Sequence, residues 1–250
     1  MAPPPRPPLP RTFIAIMAIV VTLFLFLASQ LIAGLMIGFG AAAAHLNVSE
    51  WFMTTQAQFI YGLLADTLII TGIYACLRWF RWSWQTIGLR RPIWWQILLG
   101  VGAAVPYYLL YGIIVIGVKA VVPSLNVDQP QDIGFHGVTG AVPLILTFIS
   151  LVILPPLAEE ITMRGLLYTG LRQRLPVVLA ALVVSLLFGT AHLAEGGDAG
   201  PLWIGAIDTF VLSLVLCFLR EKTGNLWSGI VLHATKNGIA FLLLFVIHAA

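Results

Sequence analysis

The chain has 250 residues, of which 60% are hydrophobic and only 9% are charged, and its formal net charge is +3. This composition excludes an ordinary soluble domain and is typical of an integral membrane protein. The basic excess gives no indication of nucleic-acid binding, because the basic residues lie in short loops between apolar runs. The length suits one helical bundle without a separate soluble domain of ordinary size.

The amino-terminal segment, residues 1–11, reads MAPPPRPPLPR. Proline removes backbone donors and breaks helices, so we expect a short extended tail there. The apolar run that follows, from about residue 12 to residue 39, is far longer than the ~7–15 residues of a signal-peptide core. We therefore expect this run to be a retained membrane helix.

Apolar runs of about 20 residues mark membrane-spanning helices, because a bilayer core roughly 30 Å thick requires that length. By this criterion the fold is all-α, a polytopic transmembrane helical bundle of about seven spans, with eight as the alternative. Residues 12–78 hold the amino-terminal transmembrane helices, and residues 79–250 hold the rest of the bundle. The spans are predicted near 12–39, 55–77, 94–121, 140–171, 176–194, 202–219 and 226–247.

The charges of the connecting loops predict how these spans are oriented. One side of the membrane receives Arg6, Arg11, Arg78, Arg81, Arg90, Arg91, Arg172, Arg174, Arg220 and Lys222. The opposite loops carry Lys119 as their one cation, together with Glu50, Asp128, Asp132, Glu195 and Asp198. The positive-inside rule therefore predicts a cytoplasmic amino terminus and, in a prokaryotic cell, a place in the inner (plasma) membrane.

Three polar clusters interrupt the fourth, fifth and seventh apolar runs. A charged residue in a bilayer core costs roughly 2.5–3.5 kcal/mol on insertion scales, so residues kept there are functional candidates. The clusters are Glu159-Glu160-x-x-x-Arg164, Phe188-x-x-x-His192 and His233-x-x-x-Asn237.

Helix geometry predicts that members of different clusters meet. At about 1.5 Å per residue, Glu159, His192, His233 and Asn237 lie roughly 16–24 Å from the inner ends of their spans, which places them in one layer. Residues four apart share a helix face. Glu160 and Arg164 can therefore form an ion pair, whereas Glu159 lies about 100° further around the helix and can face a different cavity. The same spacing packs Phe188 beside His192, and Pro155-Pro156 should distort the helix just before Glu159.

These residue types are suited to hydrolysis. Glu159 can act as a general base on water, and His192 can orient or deprotonate the same water. His233 and Asn237 can donate hydrogen bonds to a developing oxyanion. The alternative is that Glu159, His192 and His233 bind Zn²⁺, because two histidines and one carboxylate form a known catalytic zinc site. The H-E-x-x-H zinc signature is absent from the sequence.

Three further charged residues, Asp66, Asp208 and Lys236, also fall within apolar runs. The sequence leaves three roles open for them: partners of the site, a mutual ion pair, or members of a hydrated path.

The three clusters, in this order on successive carboxy-terminal spans, resemble the CAAX-protease and bacteriocin-processing family. This is the membrane family of the type II CAAX prenyl endopeptidase, also called the ABI family. Its pattern is E-E-x-x-x-R, then F-x-x-x-H, then H-x-x-x-N, with a similar small polar residue in place of N in some members. The element Gly88-Leu89-Arg90-Arg91-Pro92 is also similar to one found upstream in bacterial members, and the resemblance covers roughly residues 85–245.

The resemblance implies a catalytic core over residues 79–250 that hydrolyses peptide bonds of membrane-associated or CAAX-type carboxy-terminal substrates, lipidated or not. Glu159 and His192 would activate water, and His233 and Asn237 would form the oxyanion site. Glu160, Arg164 and Phe188 would support the site. No cofactor is expected, because Asn237 is a poor metal ligand but a suitable oxyanion donor. The expected partners are membrane lipids and a peptide or protein substrate, and the sequence leaves the oligomeric state open.

Two other functions fit the same composition. A non-catalytic membrane interaction or bacteriocin-immunity protein could keep this fold. A transporter could use Asp66, Glu159, Asp208 and the histidines as relays, but the sequence lacks the inverted repeat with paired broken helices that many transporters have.

Overall fold

The computed structural model describes residues 9–247, and every regular element among them is helical. Seven of these helices are long and apolar enough to cross a membrane, which confirms the prediction of an integral, multi-pass membrane protein of seven spans within that part of the chain. Residues 1–8 of the predicted amino-terminal tail lie outside the described residues. The spans are α1 (Arg11–Ala43), α2 (Thr55–Phe80), α3 (Trp94–Val121), α4 (Ala141–Leu171), α5 (Val177–Ala199), α6 (Trp203–Thr223) and α7 (Trp227–Ile247).

The connection between α1 and α2 contains a short helix, Val48–Phe52, which the sequence analysis did not predict. The side-chain oxygen of Asn47 accepts hydrogen bonds from the backbone N–H groups of Ser49 and Glu50, and Thr54 caps the start of α2 in the same way through Ala57. Such caps satisfy N–H groups that have no partner within the helix. This helix is too short to show hydrophobic periodicity in the sequence, and local capping determines where it begins.

Helix α4 is irregular around the first polar cluster. A π-helical turn, Ile149–Ile153, is followed by an α-helical segment, Leu154–Glu160, and by a second π-helical stretch, Ile161–Leu167. Pro155 and Pro156 donate no backbone hydrogen bond, so the turns before Glu159 cannot close in the usual pattern. The predicted distortion of this helix is confirmed.

Helix α5 forms the span predicted near 176–194, but its geometry changes along its length. Its α-helical part ends at Ala191, and a 3₁₀ segment, His192–Ala199, follows. Gly197 in this segment has a φ of 54°, a left-handed conformation that glycine adopts without steric cost. His192 therefore stands at the junction between the two helix types, not inside the α-helix.

Helix α4 lies at the centre of the bundle. Its residues Met163, Leu167 and Leu171 belong to a core shared with α1 and α5. On its other side, Ile161 and Leu166 pack into a core formed with α2 and α7. Many apolar side chains of the remaining helices are exposed, as expected where helices face lipid.

The segment between α2 and α3 packs against the start of α7. Ile87 is fully buried, and the carbonyl of Gly88 accepts a hydrogen bond of 2.9 Å from the backbone N–H of Leu226. The indole N–H of Trp227 donates to the carbonyl of Arg90 at 2.8 Å, and the side chain of Asn225 donates to the carbonyl of Arg91 at 3.2 Å. This loop therefore fixes the position at which α7 begins.

Candidate functional site

A cavity of about 170 Å³ lies between α1, α2, α4 and α5. Glu159 and His192, two of the predicted catalytic residues, both line it. The Glu159 side chain is 30% exposed while that of Glu160 is 1% exposed, which confirms that the two adjacent carboxylates face different surroundings. The other residues that line the cavity are Phe26, Ser29, Gln30, Asp66, Ile69, Ala158, Thr162, Met163, Phe188, Ala191 and Glu195.

The backbone of α5 determines which nitrogen of His192 carries hydrogen. Its Nδ1 atom lies 2.7 Å from the carbonyl oxygen of Phe188. A carbonyl only accepts hydrogen bonds, so Nδ1 is the donor, and the neutral ring keeps its lone pair on Nε2. Nε2 lies 3.9 Å from a carboxylate oxygen of Glu195. The imidazole therefore has a nitrogen with an available lone pair in the same cavity as Glu159.

Phe188 packs against two histidines, His192 of its own cluster and His233 of the third cluster. Its ring meets the His192 ring edge-on, with centroids 4.7 Å apart, and meets the His233 ring in the same manner at 5.9 Å. The contact expected from the F-x-x-x-H spacing is confirmed. A fully buried aromatic ring thus sets the spacing between α5 and α7 at the site.

The predicted ion pair of α4 is formed. Arg164 Nη1 donates to Glu160 Oε1 at 2.8 Å, and both side chains are buried. His233 lies beside this pair, with Nδ1 3.3 Å from Glu160 Oε1. Its other nitrogen, Nε2, is 3.8 Å from Glu159 Oε2. The imidazole of α7 is therefore placed between the two adjacent carboxylates of α4.

The side chain of Asn237 contacts a different part of α4 from that of His233. Its side-chain amide donates a 2.9 Å hydrogen bond to the carbonyl oxygen of Leu151, in the first π-helical turn of α4. Neither Asn237 nor His233 is among the residues that line the cavity. The structure thus brings Glu159, His192 and His233 together and joins Asn237 to the α4 backbone. The oxyanion role of His233 and Asn237 stays a prediction.

The sequence left the roles of Asp66, Asp208 and Lys236 open, and the structure separates these residues into two groups. Lys236 Nζ lies 2.9 Å from Asp208 Oδ2, so these two form an ion pair between α7 and α6. The hydroxyl of Tyr107, on α3, donates to the other oxygen of Asp208. Asp66 takes no part in this pair and lines the cavity with Glu159.

Helix α1 also contributes to the cavity, which was not expected from the sequence. Ser29 and Gln30 line it, and Gln30 Oε1 accepts a hydrogen bond of 2.5 Å from the hydroxyl of Tyr61. The signal was available, because Ser29-Gln30 interrupts an otherwise apolar run. Glu195 was assigned to a loop, whereas the 3₁₀ segment places it at the cavity, where it accepts from Gln131 at 2.6 Å.

A catalytic zinc site needs three protein ligands that converge on one point. Among residues 9–247, no group of three or more His, Cys, Asp or Glu side chains is arranged to hold a metal ion. The Nδ1 atoms of His192 and His233 each face an oxygen of the protein. Both Nε2 atoms keep their lone pairs in this arrangement, so catalysis without a cofactor stays a prediction.

Comparison with known proteins places the three motifs within one family match. Residues 141–239 match the family described as type II CAAX prenyl endopeptidase Rce1-like. An uncharacterized protein of Mycoplasma capricolum is 32% identical over 109 residues, which are 44% of this chain and 30% of that protein. The chain thus spans less than a third of this relative's length.

A second relative extends over more of the chain. An uncharacterized 24.3 kDa protein of Escherichia coli is 28% identical over 213 residues, which are 80% of this chain and 92% of that protein. No solved structure matches the chain.

Proposed function

We propose that the chain, whose residues 141–239 match the Rce1-like type II CAAX prenyl endopeptidase family, is an intramembrane endopeptidase. In this proposal Glu159 and His192 activate water without a metal. The observation that carries the proposal is the cavity that both side chains line. A carboxylate and an imidazole with a lone pair in one cavity can together accept hydrogen bonds from a water molecule and orient its oxygen.

The proposed reaction begins with removal of a proton from that water by Glu159. The water oxygen attacks the carbonyl carbon of the scissile peptide bond and forms a tetrahedral oxyanion. Collapse of this species breaks the C–N bond, and the leaving nitrogen takes up the proton that was removed from water. The products are a carboxylic acid and an amine, so no redox partner or other reactant is needed.

We propose His233 and Asn237 as the oxyanion donors. An asparagine amide has two N–H groups, and the hydrogen bond to Leu151 engages one of them. In the proposed complex the second N–H donates to the carbonyl oxygen of the substrate. Oxyanion donors are worth roughly 3–4 kcal/mol in the transition state of comparable hydrolases, so even one such bond would matter.

The proposed substrates are membrane-associated proteins or peptides, with CAAX-type carboxy termini as the first class to test. The site belongs to a bundle of membrane-spanning helices, so a substrate has to present its scissile bond at or within the membrane. A lipidated cysteine would hold a peptide at the membrane, and a hydrophobic peptide without a lipid could do the same. The two substrate types are therefore tested side by side.

The test uses the purified full chain in liposomes with internally quenched peptides that end in a CAAX sequence, either farnesylated on cysteine or unmodified. We expect the wild-type protein to cleave at least one of them, and Glu159→Gln and His192→Ala to lose about 100-fold or more of kcat. Glu50→Gln is the matched control, because Glu50 is exposed in the short helix between α1 and α2. Cleavage by Glu159→Gln at the rate of this control would contradict the proposal.

A further inference from the structure

His233 lies between two carboxylates that differ in their surroundings. Glu160 is buried and carries an ion pair with Arg164, whereas Glu159 faces the cavity. Nδ1 of His233 is at hydrogen-bond distance from Glu160, at 3.3 Å. Nε2 faces Glu159 at 3.8 Å, which is longer than a hydrogen bond. The two nitrogens are therefore in unequal environments.

The Glu160–Arg164 pair determines which nitrogen carries hydrogen. A guanidinium group is permanently charged and only donates, so the Glu160 oxygen that it contacts is an acceptor. The same oxygen, Oε1, is the one that faces Nδ1 of His233. Nδ1 must therefore be the donor. In the neutral ring the lone pair then lies on Nε2, toward Glu159.

The longer distance, from Nε2 of His233 to Glu159, agrees with this tautomer. A deprotonated Glu159 oxygen and an Nε2 lone pair are both acceptors, and two acceptors cannot form a hydrogen bond with each other. Their separation of 3.8 Å is longer than a hydrogen bond, as this tautomer requires. A proton on Glu159 would turn the contact into a hydrogen bond once the atoms approach by about 1 Å.

We propose that Glu160 is a positioning residue that fixes the Nδ1–H tautomer of His233, so that His233 becomes an oxyanion donor only after it receives from Glu159 the proton removed from water. The inference rests on the proposed function and deepens it, because it gives the two adjacent glutamates successive tasks. Glu159 removes the proton, and Glu160 prepares the group that receives it.

The relay neither gains nor loses a proton over one reaction cycle. Attack of water transfers one proton to Glu159, and that proton then moves to Nε2 of His233. The resulting imidazolium is held between Glu160 and Glu159, and its Nε2–H can donate to the oxyanion. When the C–N bond breaks, the same proton passes to the leaving nitrogen. His233 and both carboxylates then return to their starting forms.

The arrangement corresponds to the carboxylate–histidine pair of serine proteases, in which a buried carboxylate selects the imidazole tautomer. There, replacing the carboxylate by an amide leaves the geometry intact and lowers kcat about 10⁴-fold. In the present chain Glu160→Gln offers the equivalent change. Its side-chain amide can present either an oxygen or an N–H group to Nδ1, so His233 would no longer be held in one tautomer.

The test is ¹⁵N NMR of the full chain, labelled with ¹⁵N-histidine and solubilised in detergent micelles at neutral pH. The signals of His233 are identified by their loss in His233→Gln. We expect the wild-type ring to carry hydrogen on Nδ1 alone. Hydrogen on Nε2 alone, or on both nitrogens, in the resting wild-type protein would overturn the inference. This readout needs no folded variant at Glu160 and no substrate.

Kinetics of the peptide cleavage described above complete the experiment. In Glu160→Gln we expect kcat to fall by at least about 100-fold with KM little changed, and Glu160→Asp, which keeps the carboxylate, to recover part of the loss. An unchanged kcat in a folded Glu160→Gln protein would contradict the relay. If wild type cleaves no peptide while His233 shows the Nδ1–H tautomer, the proposed function fails and the tautomer assignment stands, so the two failures can be told apart.

Discussion

The guanidinium carbon of Arg164 lies 4.6 Å from the centroid of the Phe188 ring. A cation over the face of an aromatic ring is attracted by its quadrupole, and the attraction is stronger where water is excluded. The edges of the same ring meet His192 and His233. Phe188 therefore contacts a residue from each of the three polar clusters, counting its own, and fixes their relative positions.

Loss of the Phe188 ring should disturb both stability and the site. Phe188→Leu keeps an apolar side chain but removes the contacts with Arg164 and the two histidines. We expect it to lower the free energy of unfolding by about 1–3 kcal/mol. Thermal unfolding in detergent would measure this effect, with Phe24→Leu as the control because Phe24 is exposed on α1. Equal stability of the two variants would show that the ring contacts contribute little.

The ion pair between Asp208 and Lys236 should behave as a unit. Both side chains are 16% exposed within the helical bundle, so removing one partner leaves a poorly solvated charge. We expect Lys236→Met to destabilise the protein by about 3–5 kcal/mol. The double variant Asp208→Asn with Lys236→Met should recover much of this loss, because no uncompensated charge remains. A double variant that unfolds as early as Lys236→Met alone would contradict the coupling.

Gly189 marks the close approach of α5 to α6. A Cβ atom at this position would lie 2.8 Å from the carbonyl oxygen of Ala206 and 3.1 Å from Cβ of Phe210. Close packing of membrane helices depends on such small residues. We expect Gly189→Ala to cost about 1–3 kcal/mol in the free energy of unfolding and to lower activity by displacing His192.

The control for this change is Gly112→Ala on α3, where a Cβ atom would meet nothing within 4 Å. Alanine favours a helix over glycine by about 1 kcal/mol, so this control should be neutral or slightly stabilising. If both alanine variants melt together, the α5–α6 contact tolerates a methyl group and the assigned packing is wrong.

Metal chelation should leave cleavage unchanged. Within residues 9–247 no three potential ligands are arranged to hold a metal ion, and the proposed steps need none. We expect dialysis against EDTA or 1,10-phenanthroline to change kcat of peptide cleavage by less than about twofold, since catalysis is assigned to side chains alone. Loss of activity that added Zn²⁺ restores would instead support the alternative in which Glu159, His192 and His233 bind zinc.

The sequence was sufficient for features that depend on local spacing. Long apolar runs predicted all seven spans, and the i, i+4 rule predicted both the Glu160–Arg164 pair and the packing of Phe188 on His192. Prolines at 155 and 156 predicted the irregular part of α4. These features depend on neighbours along the same helix, which the sequence shows directly.

Features that depend on contacts between distant segments were harder to predict. The hydrogen bond from Asn237 to Leu151 crosses from α7 to a π-helical turn of α4, and no local pattern fixes that direction. The cavity wall contributed by Ser29, Gln30 and Asp66 depends on how α1 and α2 pack on α4. The sequence also did not predict that the α-helical part of α5 ends at Ala191 and that a 3₁₀ segment begins at His192.

Proteolysis by Glu159 can be tested by comparing new peptide termini in membranes from cells that express the wild-type protein or Glu159→Gln, matched for the amount of folded protein. We expect termini that appear with wild type and are absent with Glu159→Gln, and their sequences would identify the substrates. An identical set of termini from both proteins, at full coverage of the membrane proteins, would contradict proteolysis by Glu159 and favour a non-catalytic membrane protein.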